Sequence, residues 1–492
     1  MKTIAFASTK ISSDKRGNPR VWIEGKKLAR AGFSPQARYR LSVDASARRL
    51  TLELDKDGDR LVSQRHRRGE DLPIIDIANI KMLAPLKQAQ NLRIDFSSGK
   101  IIIEPSAAEA RRIDREHRAM SRLLKGDPLR AGSVSTGLGI LSHAIHSGLA
   151  DEGVESELAF SVEIDQEYQD LCADRNPVWK DDIVAINMPL QEFAFDHHAV
   201  RKIEQIDILE AGIPCTAHSL AGRAKKGLAL PEHDTVAGHL VVGFLAIVAA
   251  CNPSIVIVEN VPQYIESASF AILKNQLLEW QYDVDEMILR GEDHGCLEHR
   301  HRMALVATSK GMAAQVKIEI SSGTNPVLQD ILEDIPDDSS LWSELSYLKA
   351  KQERDVEDGK GFRMQILDPS ATKVGTIGRG YAKVRSTEPK LRHPTNPQLL
   401  RQFTPREHAR IKGVPEEMIE GLPVTTAHEM LGQSIVAAPF KALGRAIGSE
   451  MLIWSKGAPR TPRMAAKPMV ATKTKTPNPA NDRASDQQRL FV

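Results

Sequence analysis

The stretch QIDILEAGIPCTAHS, residues 205–219, carries a short apolar run through Ile206, Ile208 and Leu209, stops at Gly212 and enters small residues through a Pro-Cys turn. It reads as a buried strand whose carboxyl end presents Cys215. Open α/β sheets place their chemistry beyond the carboxyl ends of parallel strands. The next apolar strand, PSIVIVENVPQY (253–264), ends at Glu259 and Asn260, so neighbouring strands finishing at one edge bring Cys215 and Glu259 toward one pocket. A thiol at its free pKa of about 8.5 is only a few per cent ionised at neutral pH, and a carboxylate does nothing to lower it. The useful task for Glu259 is to hold a proton for a substrate, with its pKa raised by partial burial.

Upstream, AGSVSTGLGILSHAIHSGL (131–149) places small residues at a turn and follows them with an apolar helical face. Ser135, Thr136, Gly137, Leu138 and Gly139 would let a ligand approach the backbone and a helix N-terminus. LAFSVEIDQEY (158–168) is a strand pattern with Glu163 and Ile164 at its carboxyl end, where a carboxylate accepts hydrogen bonds from ribose hydroxyls. Asp182 and Ile183, in WKDDIVAI (179–186), are further candidates beside an adenosine. Downstream, GCLEHRHRMALVA (295–307) sets Arg300 and Arg302 at two-residue spacing before another apolar strand, so they share a strand face suited to an acceptor-rich planar substrate or a phosphate.

Short apolar strands alternating with helical patterns from Leu129 onward predict a doubly wound, mostly parallel α/β sheet. The opening stretch differs. RYRLSVDASARRLTLEL (38–54) and NLRIDFSSGKIIIEP (91–105) alternate as half-buried antiparallel strands, giving an N-terminal β-rich module. The expected domains are the module at 1–110, a solvated basic linker or helix at 111–128, a catalytic and cofactor domain at 129–314, a target-recognition region at 315–392, the closing part of the catalytic domain at 393–453 and a basic disordered tail at 454–492. Net charge is +2, yet from Lys456 onward 8 Lys/Arg face 2 Asp, so the remainder sums to −4. Four cysteines in 492 residues offer no disulfide framework, and the longest apolar run, HLVVGFLAIVAAC (239–251), is too short to cross a bilayer. A cytoplasmic protein with no membrane contact is expected.

Together these elements resemble the DNA (cytosine-5) methyltransferases, from about Leu129 to Ile447. The family's Pro-Cys motif with a following Ser is Pro214, Cys215 and Ser219; its Glu-Asn-Val motif is Glu259, Asn260 and Val261; its Gln-x-Arg-x-Arg motif is Glu298, Arg300 and Arg302, with glutamate for glutamine. RQFTPREHARIKGVP (401–415) is similar to its Thr-Pro-Arg-Glu and Gly-x-Pro segment. LGQSIVAAPFKALGRAIG (431–448) is similar to its Gly-Asn-Ser-Val segment, with Gln433 where Asn is usual and Ser434 at the cofactor. Departures concentrate in SVSTGLGI, where Ser133 replaces Asp, Ser135 replaces Phe and Ile140 replaces Gly. Loss of the ring removes a stacking surface of about 1 kcal/mol. PRVWIEGKKLARAGFSPQARYRLSVD (19–44) also resembles the small swapped-hairpin domains of AbrB-like and SymE-like proteins.

The resemblance implies methylation of cytosine C5 in double-stranded DNA with S-adenosyl-L-methionine and no metal. Cys215 would add at C6, Glu259 would stabilise N3, and Arg302 assisted by Arg300 would hold the O2 edge of a flipped base. It also implies a restriction-modification or solitary protective role, and a homodimer through the N-terminal module. The alternatives are a catalytically silent DNA-binding or regulatory protein, or an enzyme acting on RNA or using a modified S-adenosyl cofactor.

Overall fold

The computed structural model describes residues 2–67, 69–214, 229–320, 326–359 and 363–457. Its centre is a seven-stranded sheet built from β1 (Leu129–Val134), β2 (Ser156–Val162), β3 (Val184–Ile186), β4 (Ile208–Gly212), β5 (Ile255–Asn260), β6 (Tyr282–Arg290) and β7 (His301–Ser309) in the order β3-β2-β1-β4-β5-β7-β6. The first five run parallel, and β7 is antiparallel to both β5 and β6. Strand order reverses beside β1, which opens a crevice at the carboxyl edge between β1 and β4.

Two apolar layers cover the sheet, as its near-continuous Ile, Val, Leu and Ala strands require. On one face α2 (Ile140–Asp151) packs against α8 (Ala437–Ser455), the last described helix. Gly148 and Gly444 lie at their crossing, where an added Cβ on either would collide with the other helix's backbone. On the other face lie α4 (Leu240–Cys251) and α5 (Ala268–Glu279). Helix α3 (Gln166–Arg175) follows β2, capped by Asp165.

The basic segment expected as a solvated linker or helix is a helix, α1 (Ala107–Lys125), but it is docked along the amino edge of the sheet and not solvated on all sides. Arg115 is fully buried: it stacks on the Tyr282 ring at 3.6 Å and donates to Ser309 Oγ (2.8 Å) and to the Trp280 and Gln281 carbonyls (2.9 and 2.6 Å). Arg111 donates to the carbonyl of Ala249 (2.5 Å), and Arg118 to Asp207 (3.2 Å) and the carbonyl of Asn252 (2.7 Å). Its charges neutralise carbonyls that strand and helix ends leave open, so composition alone misplaced them in solvent.

The N-terminal module is β-rich as expected, and it contains two similar halves. Pro19–Glu24, a short helix and the hairpin Arg38–Asp44/Arg49–Leu54 are repeated as Glu70–Ile77, a short helix and the hairpin Asn91–Ser97/Lys100–Pro105. The halves interlock by antiparallel pairing, Val21 with Ile77 and Ile23 with Ile75 in one sheet, Leu50 with Ile103 and Leu52 with Ile101 in the other. Their buried faces form one core.

The segment expected to serve recognition contains a small three-stranded sheet, Ile366–Leu367, Lys390–Arg392 and Leu400–Arg401, whose third strand lies beyond the boundary expected at 392. Helices α6 (Pro405–Lys412) and α7 (Val424–Gln433) then lead back to α8. No helix among the described residues is long and apolar enough to cross a membrane. The tail beyond 457 lies outside the described residues.

Candidate active site

The carboxyl edge carries the site. Register sets Gly212 opposite Glu259 on adjacent strands, and Ser133 opposite Glu210 one layer below. Gly212 therefore sits in a row between the Ser135 carbonyl and the Glu259 carboxylate, and a Cβ there would meet them at 3.6 and 3.8 Å. The Asn260 amide donates to the carbonyl of Ile213 (3.1 Å) and so pins the exit of β4 immediately before the Pro-Cys turn. Cys215 and Ser219, with the basic residues Arg223, Lys225 and Lys226 that follow them, lie outside the described residues.

Glu259 is held by Arg302, whose Nε stands 2.8 Å from its Oε1. Burial pushes the Glu259 carboxyl above the ordinary range despite Arg302 and Arg300. That is the direction a proton-holding group requires. The two arginines are placed differently. Arg302 lies in β7, whereas Arg300 precedes it and is buried, donating to the carbonyls of Ile377 (3.4 Å) and Gly432 (3.3 Å). It thereby ties the segment around Ile377 to α7, while its charge acts on Glu259 alongside that of Arg302.

Glu298, the departure from the family's glutamine, has a partner that sequence reading missed. Its Oε2 lies 2.7 Å from Lys412 Nζ with neither side chain exposed, and its Oε1 accepts from the Ile377 amide at 3.0 Å. Burial lowers the Lys412 ammonium to about 7. The visible signal was a basic residue in the last turn of a helix, which ordinarily points to solvent.

On the cofactor side, Gly137 (φ 55°) and Gly139 (φ 72°) both take the left-handed conformation. Open space surrounds the Gly137 Cα, while Gly139 packs on Asn176 and Cys172. Glu163 accepts from the Gly137 amide (2.8 Å) and the Asp165 amide (3.1 Å), Thr136 meets Ser161 (2.8 Å), Leu138 is buried and Ile164 is exposed beside them. The backbone of Ser135 is itself left-handed at φ 55°. Ser434 closes α7 through the Leu431 carbonyl (2.7 Å), and Gln433 reaches the Tyr168 hydroxyl (3.0 Å). Arg379, a candidate nucleic-acid contact, donates to that same hydroxyl at 3.3 Å and pairs with Glu429.

Asp182 and Ile183 are not brought to this cluster. They precede β3, at the amino edge, where Asp182 is exposed and faces Arg130 at 3.6 Å and Ile183 packs against the core. Asn187, just past β3, stands beside Glu163 instead, donating to its carbonyl at 2.9 Å. The glycine turn, the space at Gly137 and the Glu163 carboxylate fit an adenosyl cofactor.

A doubly wound sheet with a glycine turn after its first strand and a carboxyl-guanidinium pair at the same edge forms a crevice of the nucleotide-cofactor type. Residues 132–449 match the model of the C-5 cytosine-specific DNA methylases, and the chain belongs to that family. It is 27% identical over 259 residues to the type II methyltransferase M1.ScrFI of Lactococcus lactis subsp. cremoris and 28% over 259 residues to M.SsoII of Shigella sonnei. These alignments cover 49% and 51% of this chain, and 62% and 66% of those relatives. Among solved structures the S. pombe Dnmt2 methyltransferase shares the fold, with a TM-score of 0.51 at 17% identity over 66% of this chain and 99% of that one.

Proposed function

We propose that this chain methylates C5 of cytosine in double-stranded DNA, with Cys215 as the nucleophile toward C6. The observation that carries the reading is the Glu259–Arg302 contact of 2.8 Å beside the Gly212 exit of β4. Cytosine C5 is too weakly nucleophilic to take a methyl group unaided, and thiolate addition at C6 makes it enamine-like. Glu259 offers its proton at N3, stabilising charge that develops on the ring. Arg302 orients that carboxyl and faces the O2 edge. Asn260 fixes the loop from which Cys215 acts. S-adenosyl-L-methionine, held by residues 135–139, Glu163 and Ser434, supplies a methyl sulfonium when bound. The other three cysteines support the assignment, since burial pushes each thiol up to about 12. A duplex hides the ring, so the base is flipped at a cost of a few kcal/mol, offset by phosphate contacts from the loop after Cys215.

Trapping tests this. DNA carrying 5-fluorocytosine at the target is expected to give a denaturation-resistant adduct only with S-adenosyl-L-methionine present, mapping to Cys215 and absent in Cys215→Ala. An adduct on Cys172, Cys251 or Cys296 overturns the residue assignment; methylation without any adduct overturns the covalent route. The finer readings of a restriction-modification setting, a nucleoid-associated cytoplasmic location and a target-recognition role for 315–392 rest on the same activity. For the module, both halves of the interlocked sheet come from one chain, which favours a monomeric scaffold over a homodimer. A light-scattering mass of two chains would reverse that preference.

A further inference from the structure

Glu210 is a carboxyl that the proposed chemistry does not use. It lies in β4 with no exposed surface, in register with Ser133 of β1 on one side and Ile257 of β5 on the other. Its Oε1 is hydrogen-bonded to Ser142 Oγ in the first turn of α2, and that hydroxyl lies 3.2 Å from Ser133 Oγ. Its Oε2 has no hydrogen-bond partner among the described residues. A buried carboxyl in a central strand whose partners are the Ser142 and Ser133 hydroxyls costs stability when it ionises unless a positive charge lies near it.

Position indicates what completes it. Glu210 and Gly212 point to the same sheet face, and at about 3.3 Å of rise per residue Glu210 lies about 7 Å beneath the row formed by the Ser135 carbonyl, Gly212 and Glu259. Ser133, its neighbour, stands where the resembling family carries aspartate, so the carboxyl beneath the glycine turn is supplied here by β4. Among the described residues no cation pairs with it: the groups around it are the Ser133 and Ser142 hydroxyls, the Cys172 thiol of α3, whose own ionisation burial suppresses, and apolar Ile257. Above it Glu259 is paired with Arg302, and Glu163 is held by the Gly137 and Asp165 amides. His143 of α2 feels Glu417 and Lys441, and His146 pairs with Ser156.

We propose that Glu210 is a specificity-determining residue that favours the cationic sulfonium cofactor over the neutral thioether left after methyl transfer. The inference rests on the methyltransferase reading. Burial raises the Glu210 carboxyl to about 7, so it is partly protonated at neutral pH. Arrival of a net positive ligand favours the carboxylate, and the carboxyl proton passes to the buffer. After transfer the ligand is net neutral, the proton returns, and the product is held less tightly. The linkage has one sign: affinity for a cationic ligand rises as pH increases through about 7, whereas affinity for a neutral one does not depend on this group.

Calorimetry on the full chain tests it with three probes: S-adenosylmethionine, its cationic amine analogue sinefungin and S-adenosylhomocysteine. Between about pH 6 and 8 the affinity ratio of each cationic probe to S-adenosylhomocysteine is expected to rise about tenfold. Binding heats in buffers of different ionisation enthalpy are expected to show proton release for the cationic probes in excess of that for the neutral one. In Glu210→Gln, near-isosteric and neutral, the ratio is expected to become flat and the excess release to vanish. A flat ratio in the wild-type protein overturns the proposal without needing the variant. So does Glu210→Gln weakening all three probes equally. Failure of every probe to bind would instead overturn the methyltransferase reading itself.

Discussion

At the amino edge of the sheet, Asp207 is fully buried and receives Arg118 (3.2 Å), Arg122 (3.1 Å) and the Arg130 amide (3.0 Å). At the carboxyl edge, Glu259 has Arg302 at 2.8 Å, and Glu210 beneath it has serine hydroxyls, Ser142 and Ser133, and no guanidinium among the described residues. Both edges use carboxyl and guanidinium groups, and burial raises all three carboxyls. The difference is completeness. The amino edge is closed by α1 and serves cohesion, while the carboxyl edge retains valence for a ligand. Buried polar groups contribute to stability when satisfied and carry function when they are not.

The strongest way to break this comparison lies at the buried Glu298–Lys412 contact. Glu298→Gln strips Lys412 and the buried Arg300 of their shared counter-ion, and Lys412→Met leaves Glu298 only the 3.6 Å ion pair with Arg300 among the described residues; each is expected to lower unfolding free energy by about 3 to 5 kcal/mol. The neutral pair Glu298→Gln/Lys412→Gln is expected to recover most of that loss in urea denaturation. If the double variant is as unstable as the singles, the pair's charges are not what joins the catalytic strand to α6.

Next in size, Arg115→Ala at the amino edge is expected to cost about 3 kcal/mol, because it strips donors from the Trp280 and Gln281 carbonyls and removes a packed stack. Transfer rate per folded molecule should stay near wild type. Glu259→Gln is the mirror image: little change in the denaturation midpoint, but a single-turnover methylation rate lower by about 100-fold, equivalent to about 2.7 kcal/mol. A large stability loss in Glu259→Gln, or a large rate loss in Arg115→Ala, would erase the distinction between the edges.

The effect smallest at neutral pH, building only on acidification, is acid sensitivity at the amino edge. His146 contacts Ser156 Oγ at 2.8 Å at the start of β2, and burial lowers it to about 4. Between about 6.5 and 4 the unfolded chain binds a proton that the folded chain excludes, so stability falls as pH decreases, by about 1.4 kcal/mol per unit. Denaturation midpoints for wild type and His146→Asn are expected to converge on acidification.

The chemistry-bearing strands were legible because β1, β4 and β5 are short apolar runs ended by Gly or by Glu-Asn, and register delivered Gly212 to Glu259 as that pattern implies. Asp182 was misplaced because a three-residue strand carries too little periodicity to locate its own ends. Arg300 and Arg302 share spacing, yet the strand starts between them, and spacing does not report where pairing begins. The duplication in the module escaped notice because its halves share burial rhythm more than residue identity.

The sequence by itself determined the sheet and its family and singled out Cys215, Glu259 and Arg302 as candidates, because local period and motif order depend only on neighbours along the chain. Tertiary structure decided which charges are closed and which stay open: α1 as a clamp, Lys412 opposite Glu298, and Glu210 under the glycine turn with no guanidinium among the described residues. The pKa of a buried group is set by everything packed around it, and those partners arrive from segments up to hundreds of residues away.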